Sequence, residues 1–485
     1  MVLEFGHFWD YIRPKGRNMF KFDPDKEYSW TGDFWYADDN PNIQKNHFGG
    51  TLKYSPESGF HLHIITRTIP ESFFFPDRKM PNKDIHGTVQ DLKNISLVNC
   101  LVQPRTVNLG KAGFSSIICT PEYIVKDAWV KNTDKAFTEI SFHCPVLDYF
   151  FDSMPDWNLV YGDESLTDFL VDSKIIDGFR MKVFHGHAEN SPWFPKRSRC
   201  KKYKALCDKI NKAIEESPYK KELLSCSKAY PIIKITGKPK LAREYFTAER
   251  KMRRFFSALL LVQIHTDRLW VKVFDKSCEV FLQRYQKIDI PWYLKNGHSV
   301  FITLDDTKND FHKIYSDFYQ IMEKSGSGLL NILIGERIWK HKQKQDSDGH
   351  IQYCWIINTI GDWQCKYGNN KKGTERFQSF LKENLRSKSE FNKKIVEGLK
   401  KEFCKSDSLN KLGVKIGNVR NCLEHKKSPL YPKYKHIVEN EIAINNLCEL
   451  LFLVLMKALY KKIGIKVEEK RFDHLLSHLV VWGER

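Results

Sequence analysis

A chain of 485 residues and 57.1 kDa has room for two or three domains with substantial cores. Its 41% hydrophobic and 13% aromatic content exclude a largely disordered polypeptide. The formal charge of +19 and pI near 9.2 favour a polyanionic partner, nucleic acid before membrane, because no basic amphipathic anchor stands out. Met1 to Gly16 lacks a basic start followed by an apolar run, so no signal peptide is expected. The longest apolar cluster, Leu447 to Met456, is interrupted by Glu449 and is too short to span a bilayer. The 12 cysteines form no close Cys-x-x-Cys pair, which fits reduced thiols in a cytoplasmic protein and argues against zinc. No cofactor is expected.

The chain opens with aromatic-rich, turn-rich sequence. Tyr28 to Tyr36, Gly50 to Tyr54 and Phe60 to Thr66 alternate polar and apolar residues and read as strands, the last two joined by a turn at Pro56-Glu57-Ser58-Gly59. Further strands are expected at Ile85 to Val89, Ile95 to Leu101, Phe114 to Thr120, Tyr123 to Val130 and Phe137 to Phe142. Short strands at this spacing predict an antiparallel sandwich or barrel-like sheet. Two His-x-His pairs, His61 with His63 and His185 with His187, put imidazoles on one face of a strand. No carboxylate or cysteine sits at ligand spacing to complete a metal shell, so no metal site is expected.

Lys196 to Lys221 is lysine-dense and reads as helical. Arg197, Arg199, Lys201, Lys202 and Lys204 are candidate RNA-binding residues, with Trp193, Phe194 and Tyr203 beside them as stacking surfaces for unpaired bases. The other reading is a solvated helix face or a linker. A helix from Glu244 to Leu261 carries Arg250, Lys251, Arg253 and Arg254, and strands near Trp270 to Phe274 and Ser299 to Thr303 close this part. Three domains are expected: a strand-rich one over 1–195, its basic helix-plus-strand continuation over 196–305, and a helical one over 306–485. The fold class is therefore α+β.

From Asp306 onward the period is helical, with candidates at 308–324, 328–342, 351–366, 374–386, 389–404, 408–427, 434–464 and 470–481. No internal repeat is visible. Gly326-Ser327-Gly328 lacks the Gly-Lys-Ser/Thr of a phosphate loop and reads as a helix junction. In 408–427, Leu409, Leu412, Ile416, Val419 and Leu423 form a buried stripe. At about 100° per residue, Asn421 and His425 share a face nearly opposite it, with Arg420 and Glu424 on its shoulder. Pro429 and Pro432 end the helix, which puts His425 in its last turn, and Lys426 and Lys427 follow as candidate RNA contacts.

The word Arg420-Asn421-Cys422-Leu423-Glu424-His425 resembles the Arg-(four to six residues)-His signature of HEPN domains, helical bundles of which many members are metal-independent RNases. Its place late in a helical region, before a proline break and a long last helix ending Ala-Leu-Tyr-Lys-Lys-Ile-Gly-Ile at 458–465, is similar to ApeA-type members. Phe48-Gly49-Gly50-Thr51-Leu52, Ser55-Pro56-Glu57-Ser58-Gly59, Ile85-His86-Gly87-Thr88 and Leu97-Val98-Asn99-Cys100 resemble, in that order, the ApeA N-terminal domain.

The resemblance implies an endoribonuclease of an antiphage, abortive-infection system. Its N-terminal region would sense a phage-derived trigger or position RNA, and its C-terminal HEPN domain would cleave host RNA, tRNA included, as a homodimer or higher homo-oligomer. Attack by the RNA's own 2′-hydroxyl needs no metal. Histidine suits proton transfer near neutral pH, and an arginine fork suits phosphate oxygens. Arg420, Asn421 and His425 are the candidate catalytic residues, with Glu424 supporting Arg420. One motif supplies one histidine, so two motifs facing across a dimer axis would supply acid and base together. ApeA-like domains also carry an acidic residue in an early Ala-Leu-Glu-Ala-Leu-like run, where this chain reads Ile356-Ile357-Asn358-Thr359-Ile360-Gly361-Asp362-Trp363. Asp362 either takes that role from a shifted position or the role is absent. The alternative function is a non-catalytic nucleic-acid-binding or dimerisation scaffold, in which Arg420 and Glu424 are a surface pair and His425 an ordinary helix-end residue.

Overall fold

The structure, a computed structural model, describes residues 22–40, 42–43, 46–66, 82–107, 114–150, 171–186, 230–262, 264–285, 302, 306–307, 310–325, 349–368, 372–387, 389–403, 408–425, 427–467 and 471–472. The chain divides into two compact units, Met1–Lys251 with His265–Asp289, and Met252–Ile264 with Ile290–Arg485.

Among its described residues, the first unit is built on thirteen antiparallel strands: β1 Tyr28–Tyr36, β2 Phe48–Ser55, β3 Gly59–Thr66, β4 Lys83–Val89, β5 Lys93–Val107, β6 Phe114–Thr120, β7 Tyr123–Lys126, β8 Phe137–His143, β9 Val171–Lys174, β10 Arg180–Gly186, β11 Tyr230–Lys240, β12 Arg268–Val273 and β13 Lys276–Leu282. Six of them close into a barrel in the order β1-β2-β3-β6-β5-β4, with β4 pairing back onto β1. The barrel-like expectation is thus met by a closed sheet with no free edge of its own.

Alternation fills the barrel. Trp30, Phe34 and Tyr36 of β1 point inward with Leu52, Tyr54, Phe60, Leu62, Ile64, Ile85, Val89 and Ile95. Each such side chain, fully buried, stabilises by about 1.5–3 kcal/mol. Phe34 fits because three strands give up their side chains around it. A Cβ at Gly87 would lie 2.4 Å from its ring, one at Gly50 3.1 Å and one at Gly32 3.3 Å. Gly50 and Gly87 belong to the very runs that carry the ApeA resemblance, and the structure gives them a packing role.

β5 changes partner along its length. Ile95–Val98 pair with β7 and Leu101–Val107 with β6, and the switch falls at Asn99, whose φ of 56° interrupts the strand. The Asp84 carboxylate accepts its N–H at 2.7 Å, and its side-chain amide donates to Glu122 at 2.6 Å. From β7 the sheet continues through β13-β12-β8-β11-β10 to β9. Phe274 and Asp275, with φ of 46° and 64°, form the two-residue turn between β12 and β13. Helix α1, Ala242–Leu260, starts in this unit and ends in the second.

The strands expected from alternation appear close to their expected bounds, except that β5 runs on through Pro104 to Val107 and β7 stops at Lys126. β10 contains His185, where the second His-x-His pair implies a strand, whereas β9, β11 and β13 match no expected strand. The expected strand Ser299 to Thr303 lies outside the described residues except for Ile302, and the basic helix Lys196 to Lys221 lies outside them altogether.

The second unit contains α2 Phe311–Ser325, α3 Gly349–Tyr367, α4 Glu375–Leu385, α5 Glu390–Glu402, α6 Leu409–Glu424, α7 Tyr431–Val438 and α8 Glu441–Lys462. The single helix expected over 434–464 is broken: α7 ends at Val438, and Asn440 caps α8 by accepting the N–H of Ala443 at 3.1 Å. α8 is long and apolar enough to cross a membrane, but most of it is buried, with Leu447, Leu451, Leu455 and Leu459 in the core, as expected of a central bundle helix. The expected helices 328–342 and 470–481 and the junction Gly326 to Gly328 lie outside the described residues, apart from Arg471 and Phe472.

Candidate functional site

α6 is placed by its glycines as much as by its leucines. Leu412, Ile416, Val419 and Cys422 are buried, as the stripe predicts, while Leu409 and Leu423 are half-buried. Between them, Gly413 and Gly417 let α6 lie directly against α4. A Cβ at Gly413 would come within 2.6 Å of the Gln378 backbone nitrogen, and one at Gly417 within 2.9 Å of the Phe377 ring. Buried Tyr353 of α3 adds a hydrogen bond to the carbonyl of Ile416 at 3.0 Å. The helix carrying the candidate residues is therefore fixed from two sides.

Its C-terminal end presents the motif. The helix stops at Glu424, three residues before the expected end. His425 is the cap, at φ −131° and ψ 88°, with its N–H still donating to the Asn421 carbonyl at 3.0 Å. The next turn is held in sequence: Ser428 N–H donates to the His425 carbonyl at 2.8 Å and Tyr431 N–H to the Ser428 carbonyl at 2.9 Å. Buried Cys422 lies against Ser428, and burial pushes its thiol above the ordinary value, the Ser428 hydrogen bond opposing that in part. The exposed His425 imidazole thus stands on a fixed backbone.

Arg420 is held rather than loose. Its Nη2 lies 2.9 Å from Glu424 Oε2, and Nη1 donates weakly to Asn421 Oδ1 at 3.5 Å. Arg420 Nε is buried and has no hydrogen-bond partner among the described residues. A buried donor in that state costs about 1–3 kcal/mol, more than the few tenths an exposed i,i+4 pair returns. The arrangement is therefore poor as a stability device and suited to receiving an anionic oxygen. Arg420, Asn421 and Glu424 come together, and His425 adjoins them at the helix end.

Other sequence candidates separate from this group. Asp362 is exposed on α3, and among the described residues no hydrogen bond or ion pair joins it to Arg420, Asn421, Glu424 or His425. Lys427 is exposed beside His425, while Lys426 lies outside the described residues, as do Arg197, Arg199, Lys201, Lys202 and Lys204 with their aromatic neighbours Trp193, Phe194 and Tyr203. His61 of the first His-x-His pair is taken up by hydrogen bonds at 3.0 Å to the Thr120 hydroxyl and 2.9 Å to the Ser58 carbonyl. Of the second pair, β10 includes His185, and His187 is outside the description. Among the described residues no three His, Cys, Asp or Glu side chains gather as a metal site would require.

Asn418 and Tyr434 belong to no motif in the sequence, yet the fold brings them together beside the site. Asn418 lies two turns before His425 and donates to the Tyr434 hydroxyl at 3.2 Å, tying α7 to α6 beside the motif. The seven-residue interval between Asn418 and His425 was the signal available.

Residues 29–198 match the sequence model of the family described as ApeA N-terminal domain 1. This stretch is ApeA-like. The match runs from β1 through β10, and it supports a role in antiphage defence for the protein that carries it. No curated protein and no solved structure matches the chain. The ApeA-like domain therefore includes β8 and the β9–β10 hairpin as well as the closed barrel.

Proposed function

We propose that this protein is a metal-independent endoribonuclease of an antiphage, abortive-infection system, with a HEPN-type helical domain that cleaves host RNA, tRNA included, at a site composed from two protomers. The observation that carries the reading is the group at the end of α6: a guanidinium braced by Glu424 and Asn421, with a buried donor left open among the described residues, beside an exposed imidazole on a fixed turn. Arg420 binds the non-bridging oxygens of the scissile phosphate and offsets the charge that builds as phosphorus becomes five-coordinate. His425 of one protomer takes the proton of the attacking 2′-hydroxyl, and the same residue of a second protomer delivers a proton to the leaving 5′ oxygen. Asn421 orients the imidazole or a phosphate oxygen. The products are a 2′,3′-cyclic phosphate and a 5′-hydroxyl, which balances the atoms without added water.

The ApeA-like domain supplies sensing of a phage-derived trigger in this scheme, and the enzyme rests at low activity without it. Incubating the purified full-length protein with total RNA, with and without phage lysate, tests the proposal. Cleavage by the wild type that His425→Ala lacks is expected. Identical behaviour of the two proteins under both conditions would leave the scaffold reading in its place.

A further inference from the structure

Charge is spread unevenly over the helices of the second unit, and the unevenness points to one surface. α5 is an ordinary solvated helix: four lysines alternate with three glutamates, and Lys393 lies 3.7 Å from Glu390. Residues 409–439, spanning α6 and α7, carry seven lysines and arginines against two glutamates. Both glutamates are already engaged, Glu424 by Arg420 and Glu439 by the Tyr431 hydroxyl at 3.1 Å and by Lys435 at 3.8 Å. Exposed Lys411, Lys427 and Lys433 have no carboxylate partner among the described residues. Charge left unpaired at this density raises the local positive potential and concentrates polyanions.

Placement gives this excess a direction. Along α6, Lys411 and Asn418 occupy the side on which His425 emerges, and 14 residues at about 1.5 Å each separate Lys411 from His425 by roughly 21 Å along the axis. α7 adds a second wall. The Asn418–Tyr434 hydrogen bond joins the helices, and the Lys433 ammonium lies 5.8 Å from the centre of the Tyr434 ring, which sets it beside this seam. Ammonium groups on both walls then lead to the imidazole, with Lys427 just past it.

Resting on the endoribonuclease reading above, we infer that the seam of α6 and α7 is the lane that holds the RNA backbone, with Lys411 and Lys433 as phosphate-binding residues that deliver the strand to His425. Lysine, a flexible point charge, suits backbone contacts that must hold whatever the base sequence.

The test is equilibrium binding of a short fluorescein-labelled 2′-O-methyl oligonucleotide to the full-length protein across a salt series. This probe cannot undergo internal attack, so binding is read apart from cleavage. The double variant Lys411→Gln/Lys433→Gln is expected to weaken binding about 10-fold and to flatten the log K against log salt slope by about 1.4, two contacts at roughly 0.7 each for a single strand. Lys411→Arg/Lys433→Arg should restore both, and Lys393→Gln/Lys401→Gln on α5 should change neither. An unchanged affinity and slope in the lane double, or an equal loss in the α5 double, overturns the lane. Cleavage of ordinary RNA by the wild type is scored separately: cleavage with an unaltered slope sinks the lane alone, whereas a flattened slope without any cleavage sinks the nuclease and keeps the lane.

Discussion

The barrel and the helical unit both spend glycines on close packing, yet they use the result differently. In the barrel, Gly32, Gly50 and Gly87 open space for the Phe34 ring, so the positions most recognisable in sequence lie inside and carry no chemistry. In the helical unit, Gly413 and Gly417 press α6 onto α4, and the gain is at its end, where Arg420, Asn421 and His425 are held at the surface. Recognisable residues therefore mean packing in the first case and presentation in the second.

The largest effect that sharpens this contrast is on chemistry. Arg420→Ala should lower RNA cleavage by about 10²–10³-fold while the thermal midpoint stays close to wild type, because in the proposed mechanism the guanidinium acts on charge that appears only in the transition state. A matching collapse of stability would return Arg420 to a structural role.

Glycine substitutions come next. Gly87→Ala drives a methyl into the Phe34 ring, and Gly413→Ala drives one into the Gln378 backbone; each should cost about 1–3 kcal/mol in chemical denaturation. Gly361→Ala on α3 meets nothing nearer than the Arg376 guanidinium at 3.9 Å, so it should stabilise by about 0.5–1 kcal/mol through helix propensity. Equal costs at Gly413 and Gly361 would remove the special closeness claimed for α6.

A smaller effect depends on pH and belongs to the barrel. Burial holds the His86 imidazole below the ordinary histidine value of 6.5, while its Nε2 hydrogen bond to the Val130 carbonyl, at 3.3 Å, partly opposes this. The unfolded chain then binds the proton more readily than the folded one, so stability is unaffected well above pH 6.5 and falls as pH drops below it. His86→Gln should flatten the acid limb of a stability–pH curve, and an unchanged limb would contradict the assignment. The least change is expected from Glu424→Gln, a few tenths of a kcal/mol in stability, because Arg420 and Glu424 are an i,i+4 pair at a partly exposed helix end.

Where a local rule decides an element, the sequence was readable. β1 and β6 begin and end where alternation says, and the Pro56–Gly59 turn joins β2 to β3. β11 was not, because Pro231, Gly237 and Pro239 read as breakers; long-range pairing to β8 and β10 overrides them, with an irregularity between Thr236 and Lys240. The break between α7 and α8 was missed because Asn440 follows a run that still has helical period, and only its cap reveals a new start. At the candidate site, the types and spacing of Arg420, Asn421 and His425 were legible. That Arg420 Nε is buried without a partner among the described residues was not, since burial there depends on how α6 packs against its neighbours.

The claim at the centre is that the α6 motifs of two protomers cut RNA through its own 2′-hydroxyl. The most direct measurement is the chemistry of the new 3′ ends made by full-length protein in the presence of EDTA and phage lysate. The account predicts 2′,3′-cyclic phosphates from the wild type and none from His425→Ala. Cleavage that EDTA abolishes, or 3′-hydroxyl ends, would contradict it.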